Sequence, residues 1–362
     1  MAHPSRWERL RTAGRIVGGY QVAADHETPY TVIHTGPHRV LRRYGTESQR
    51  AGLVGRPPIL LIPPLAVPAR CYDLGPGQSV VEHLLAAGRR PYVVDFGNVS
   101  RADRHLGFAD YFDDIVPDAI ARVLADVSAE GVTRLDLAAW SLGGTISFLT
   151  VAAHPELPVR SITAIGTPLD YKAMPGYPLV RRLMRPFGAT PITLALRTMR
   201  GIPAPLVRIA YRATAWDREL KKLAYIVRNA DNTEALARMQ VIDRFQNSLP
   251  GYAGEVSVQM WEKFVYRDEL ATGVLDFDGR RVDITAVGQP IRLFGSHRDA
   301  IASWRAVHHG VSLFAASADI GFVTVPASHL GLIAGDAAFA ETWPHVVGFL
   351  AELDAGEALP PS

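Results

Sequence analysis

Three residues of this 362-residue chain have the types, and arrive in the order, that acyl transfer through a hydroxyl requires: Ser141, Asp299 and His329. A serine hydroxyl is a poor nucleophile at neutral pH. It needs a base to take its proton and a carboxylate to hold that base in the right tautomer. Ser141 lies in Ala138-Ala139-Trp140-Ser141-Leu142-Gly143-Gly144, after the apolar Leu135-Asp-Leu137 and before small and apolar residues from Thr145 to Ala153. This predicts a strand, a tight turn and a helix, with the hydroxyl lifted out of the sheet beside the first helical amide. The fit to G-x-S-x-G is imperfect, because Ala139 stands where the pattern has glycine. Alanine is the next smallest side chain, so the crowding of such a turn is still tolerated.

In a sheet of this kind the expected order is serine, acid, histidine, each just past a strand. Asp299 lies four residues beyond the apolar run Pro290 to Gly295, and His329 follows the run Asp319 to Val325 through Pro326-Ala327-Ser328. Asp299 is also placed to be no more than a helix N-cap, and His329 to be a buried structural histidine. His297, His308 and His309 are competing bases, but they precede the last strand. The oxyanion of a tetrahedral intermediate needs two amides. Leu142 supplies one; Leu65 or Ala66, in the loop after Ile62, is expected to supply the other, since Pro63 and Pro64 have no N–H.

Other chemistries find less support. The single cysteine, Cys71, cannot build a thiolate metal site or an internal disulfide, and fits a reducing compartment. No G-x-G-x-x-G or P-loop sequence follows a strand, so no cofactor is implied. A formal net charge of +2 gives no reason to expect nucleic acid. No run approaches the ~18 apolar residues of a membrane span. Met1 to Gly19 mixes arginines with apolar residues and reads as an amphipathic lead-in, not a secretion signal. A cytoplasmic protein is the expectation. Nothing in the sequence bears on oligomeric state.

The elements that must position these residues alternate strictly at first. Tyr30–Ile33 and Val40–Tyr44 read as a hairpin about Gly36-Pro37. Pro58–Ile62, Pro91–Val94, Leu135–Leu137 and Ser161–Gly166 are short apolar runs without polar alternation, as in strands covered on both faces. Helical spacing falls between them at Ser79–Ala87, Tyr111–Val127 and after Ser141. The pattern is that of a doubly wound α/β sheet. It stops between about Asp170 and Val287, a stretch broken by prolines, and then resumes at Pro290. An inserted helical cap over 170–287 is the simplest reading, with an N-terminal segment over 1–54 and a core of 55–169 and 288–362. Asp354 to Ser362 look frayed. Within the insertion, residues 171–228 carry twelve Lys and Arg against Asp217 and Glu219, a local net of +10. This is either a solvated helical face or a surface attracted to anionic lipid, a storage granule or the phosphates of an acyl-CoA.

Several runs keep the order seen in one known family. Leu60-Leu-Ile-Pro-Pro64, Tyr72-Asp-Leu74, Ser79-Val-Val81 and Val93-Val-Asp95 resemble the N-terminal part of the polyhydroxyalkanoate synthase catalytic domain. Asn247-Ser-Leu-Pro250, Phe264-Val-Tyr266, Glu269-Leu270, Asp278-Gly279, Val282-Asp-Ile284, Gly295 to Ile301 and His329 to Ile333 are similar to its later parts. The resemblance spans roughly residues 55 to 350. It implies an α/β-hydrolase fold with a lid after the sixth strand, and a nucleophile–Asp–His triad at the three positions above. Those polymerases use a cysteine nucleophile, whereas here oxygen stands at Ser141. Thioester chains exchange with acyl-CoA at little free-energy cost; a serine ester is a worse acyl donor, more naturally discharged to water or an alcohol. The expectation is therefore a serine hydrolase acting on esters of apolar acyl chains. Acyl transfer from acyl-CoA and a non-catalytic lipid- or granule-binding role are the alternatives.

Overall fold

The computed structural model describes residues 14, 20–23, 26–213 and 216–358. Apart from Gly14, the amphipathic lead-in expected at 1–19 lies outside them. Eight strands form one sheet: β1 (Tyr30–His34), β2 (Val40–Tyr44), β3 (Pro58–Ile62), β4 (Arg90–Asp95), β5 (Leu135–Trp140), β6 (Val159–Ile165), β7 (Ile291–Gly295) and β8 (Ile320–Thr324). Their order is 1-2-4-3-5-6-7-8. β1 and β2 join as an antiparallel edge and the other strands run parallel.

Successive residues of the inner strands serve opposite cores, which is why their sequences show no polar alternation. Leu60 and Ile62 of β3 face one apolar layer, Ile59 and Leu61 the other. Leu137 and Ala139 of β5 likewise alternate with Ala138 and Trp140. One layer holds α2 (Val116–Val127) and α3 (Leu142–Ala153); the other holds α1 (Val80–Ala86) and α9 (Trp343–Ala358). The chain runs from β3 to β4 on one side and returns to β5 on the other. The winding therefore reverses between β3 and β5, and the crevice outside their carboxyl ends is where such sheets bind ligands.

Between β6 and β7 lie α4 (Tyr177–Met184), α5 (Thr190–Met199), α6 (Ala204–Ala213), α7 (Trp216–Arg228) and α8 (Thr233–Asn247). The insertion leaves after the sixth strand, but it is not a cap throughout its expected span of 170–287. Val256, Trp261, Phe264, Leu275, Phe277 and Val282 are buried in the same layer as α2 and α3. Phe277 belongs to a hairpin, Val274–Phe277 with Arg280–Asp283, and its ring lies 5.0 Å from Phe112. Asp278 and Gly279 turn it with φ of 53° and 87°, the left-handed pair that a two-residue hairpin requires. The C-terminal part of the insertion thus extends the core.

The expectation of a frayed end over Asp354 to Ser362 fails as far as Ala358, where α9 ends, and residues 359–362 lie outside the described ones; Asp354 takes part in a charge network. Asp136 and Arg160, both almost fully buried, pair at 2.6 Å, and Ser161 Oγ donates to Asp136. Arg160 reaches on to Asp354 at 2.7 Å, and Arg89 meets the same carboxylate at 2.6 Å. Removing one partner of a buried pair strands the other charge. Arg160→Leu should therefore lower the unfolding free energy in urea by roughly 3–5 kcal/mol.

Burial works to raise the Asp354 carboxyl, but its bonds to Arg160 and Arg89 outweigh that and hold it below its ordinary value of 3.8. A depressed carboxylate contributes stability above its unfolded pKa and loses it as pH falls through the folded one. Urea midpoints of the parent and of Asp354→Asn should accordingly differ at neutral pH and converge as pH drops below 3.8.

Candidate active site

Ser141 is held at φ 52° and ψ −124°, a strained conformation for a non-glycine residue, of order 1–3 kcal/mol. The surroundings over-determine it. The Ser141 amide donates to Ile165 O on the neighbouring strand at 2.8 Å, its carbonyl accepts from Gly144 N at 2.9 Å, and Thr167 Oγ1 donates to the same carbonyl at 2.9 Å. α3 begins at Leu142, so its first amides have no helical acceptors.

Two glycines make this turn possible. A Cβ at Gly143 would lie 2.3 Å from Ile62 O and 2.8 Å from Pro63 O, and one at Gly144 would lie 2.1 Å from Thr167 Oγ1. The end of β3 and the exit from β6 both press directly on the start of α3. This brings the loop carrying Leu65 and Ala66 to the helix N-terminus. Leu65 is buried and Ala66 is at φ 59°. Among the described residues the amides of Leu65, Ala66 and Leu142 donate to no acceptor.

His329 and Asp299 meet at 2.6 Å, Nδ1 to Oδ2, with side chains 6% and 0% exposed. The other carboxylate oxygen of Asp299 accepts from Ile301 N at 2.8 Å and Ala302 N at 2.9 Å. The helix-cap reading of Asp299 is not met: the next helix, Trp304–His308, is capped by Ser303, while Asp299 closes the turn before it with one oxygen and fixes the imidazole with the other. The His329 ring packs on Trp140 at 5.1 Å between centroids, and Cε1 would lie 3.2 Å from a Cβ at Gly166. Trp140 precedes Ser141, and Gly166 follows the strand to which Ser141 bonds. Ser141 Oγ itself has no hydrogen-bond partner among the described residues; in unliganded sites this contact is often long and tightens with substrate.

The competing histidines are engaged elsewhere. His297 and His308 both stack on the ring of Trp304, at 4.9 and 4.2 Å between centroids, and His309 bonds Ala271 O. His34 and His38 have a four-residue spacing that the sequence reading passes over. They flank the Gly36-Pro37 turn and face Asp118 at 3.6 Å and Asp103 at 3.0 Å. Cys71 is fully buried, which pushes its thiol well up and leaves it protonated and inaccessible. It is no substitute for Ser141.

Sequence reasoning assigned no role to Ser296. This buried hydroxyl accepts from Arg298 N at 3.0 Å and Ala327 N at 3.2 Å, tying the Asp299 loop to the His329 loop. Its only sequence signal is its place directly after β7. Trp140 and Thr167 were likewise passed over, although both adjoin predicted strand ends.

The strand order and the flanking helices define an α/β-hydrolase fold. A monoacylglycerol lipase from Paleococcus ferrophilus has the same fold, with a TM-score of 0.51 at 14% identity over 87% of this chain and 99% of the lipase. In sequence, the chain resembles polyhydroxyalkanoate polymerases. It is 24% identical to the poly(3-hydroxyalkanoate) polymerase subunit PhaC of Haloarcula marismortui over 91% of this chain and 69% of that protein. It is also 24% identical to the subunit of the same name from Allochromatium vinosum, over 90% and 89%. No family model matches the chain.

Ser296→Ala would leave two loop amides without their acceptor. It should lower stability in urea denaturation by about 1–3 kcal/mol.

Proposed function

We propose that this chain is a serine hydrolase that cleaves carboxylic esters of apolar acyl chains. The observation that carries the reading is the buried 2.6 Å Asp299–His329 pair set against the residues flanking a strained Ser141. With Nδ1 committed to Asp299, Nε2 is the ring nitrogen left for the serine proton. His329 takes that proton as Oγ attacks the ester carbonyl. The resulting oxyanion is met by the Leu142 amide and by that of Leu65 or Ala66. Collapse expels the alcohol, which takes the proton back from His329, and leaves an acyl ester on Ser141. Water, deprotonated by the same imidazole, then releases the acid and regenerates the hydroxyl.

Acyl transfer from acyl-CoA to an alcohol is the second reading. It is favoured by the net charge of +10 over residues 171–228, suited to the phosphates of CoA, and by the polymerase names of the sequence relatives. Feeding acyl-CoA and identifying the product separates the two: free acid supports hydrolysis and an ester supports transfer.

Mass spectrometry after treatment with a fluorophosphonate should find one adduct, on Ser141, and Ser141→Ala should reduce hydrolysis of p-nitrophenyl acyl esters by at least ~10³-fold. A folded parent protein that leaves Ser141 unmodified would point to the non-catalytic alternative, and a Ser141→Ala variant working at the parent rate would sink the proposal.

A further inference from the structure

The outward face of the cap has an unusual polarity. Among the described residues thirteen large hydrophobic side chains are exposed, and ten of them fall between Leu179 and Tyr225. Neither α4 nor α6 buries a single residue. On α4, Leu179 and Leu183 stand one turn apart with Phe187 just beyond, 61%, 63% and 68% exposed. On α6, Leu206 and Ile209 form the same outward stripe. An ordinary surface helix turns such a stripe toward the core.

On α4 the inner side packs Tyr177 and Met184 on the core and is held by charge as well. Arg181 lies 3.7 Å from the buried carboxylate of Asp268, and Lys172, just ahead of the helix, lies 3.1 Å from it. The apolar arc of α4 is flanked by Arg182 and Arg185, both exposed and without a carboxylate partner among the described residues. On α6 the corresponding flank holds Arg212, bonded to the Asn247 side chain.

We infer that the outer faces of α4 and α6 dock on an anionic phospholipid bilayer. Outward leucine and phenylalanine flanked by arginine is the pattern of a helix lying in a membrane interface, where apolar side chains enter the acyl boundary and guanidiniums reach the headgroups. A second copy of the chain is the competing occupant. A two-fold contact would bring the same surface patch onto itself, and with a local net charge of +10 that contact is repulsive. An anionic bilayer offers the apolar volume and the opposite charge together. No described helix is long and apolar enough to cross a membrane, so the contact is a peripheral one.

The inference is independent of the chemistry at Ser141. Co-sedimentation of the full chain with vesicles of phosphatidylglycerol and phosphatidylcholine, against pure phosphatidylcholine, tests it. Binding to the anionic vesicles should be at least ~10-fold stronger and should fall steeply with salt. The double variant Leu183→Asp with Phe187→Asp should lose binding. Arg182→Glu with Arg185→Glu should lose the preference for anionic lipid, while Ser141→Ala binds as the parent does. All four cap positions are exposed, so circular dichroism should show unchanged folding. Equal binding to both vesicle types, undiminished binding by the cap variants, or an oligomer in light scattering that Leu183→Asp with Phe187→Asp disperses would overturn it.

Discussion

The constraint on which the rest of this structure depends is the close approach of three glycines near Ser141 to neighbouring chain segments. The end of β3 reaches the start of α3 at Gly143, the exit from β6 reaches it at Gly144, and the His329 ring closes on Gly166. At Gly143 and Gly144 an added Cβ would fall within the radius of an existing atom, and at Gly166 it would crowd the imidazole at a φ of 60°. This convergence keeps Ser141 in a conformation it would otherwise leave. It also accounts for Ala139. Position 139 is inside β5, facing a packed layer, and meets none of these three contacts, so a methyl group is accommodated there.

The two ends of the sheet divide the work. At the amino-terminal end of the central strands, Asp136, Arg160, Asp354 and Arg89 form a buried network that ties β5, β6 and the region before β4 to the last helix. At the carboxyl end the backbone is strained, with Ser141 at φ 52° and Ala66 at φ 59°. Strain is tolerable there because the opposite end and both apolar layers hold the strands in register. The same division explains why the carboxyl ends of β5, β7 and β8 can be followed by Ser141, Asp299 and His329 without destabilising the sheet.

Much of this was legible in the sequence, because its signals were local. Short, largely apolar runs of three to six residues marked strands covered on both sides, and Ser141, Asp299 and His329 stood at the expected strand ends in the expected order. What escaped depended on partners distant in the chain. Nothing near Phe277 says that it packs on Phe112, so the hairpin at 274–283 read as part of the cap. Nothing near Asp354 announces Arg89 and Arg160, so the end of the chain read as frayed. The role of Ser296 rests on an amide thirty-one residues away. The cap helices show a subtler limit: the spacing of Leu206 and Ile209 gives the same periodicity whether the stripe faces the core or the solvent. Only the packed structure gives its direction.

The remaining question is how one scaffold relates to enzymes named as polymerases. The sequence relatives align over nine-tenths of this chain. The family resemblance implies that the distinguishing atom is at position 141. An acyl group on sulfur keeps most of the energy of the thioester it came from and can be passed on repeatedly. An acyl group on the oxygen of Ser141 would be an ordinary ester, downhill from a thioester by several kcal/mol and level with other esters. Passing it to another hydroxyl would be nearly neutral in free energy. Water, present at far higher concentration than any alcohol, would then decide its fate unless the cap excludes it. In the proposed reaction, the choice between hydrolysis and transfer would therefore be set less by the residues around Ser141 than by how dry the insertion keeps the crevice between β3 and β5.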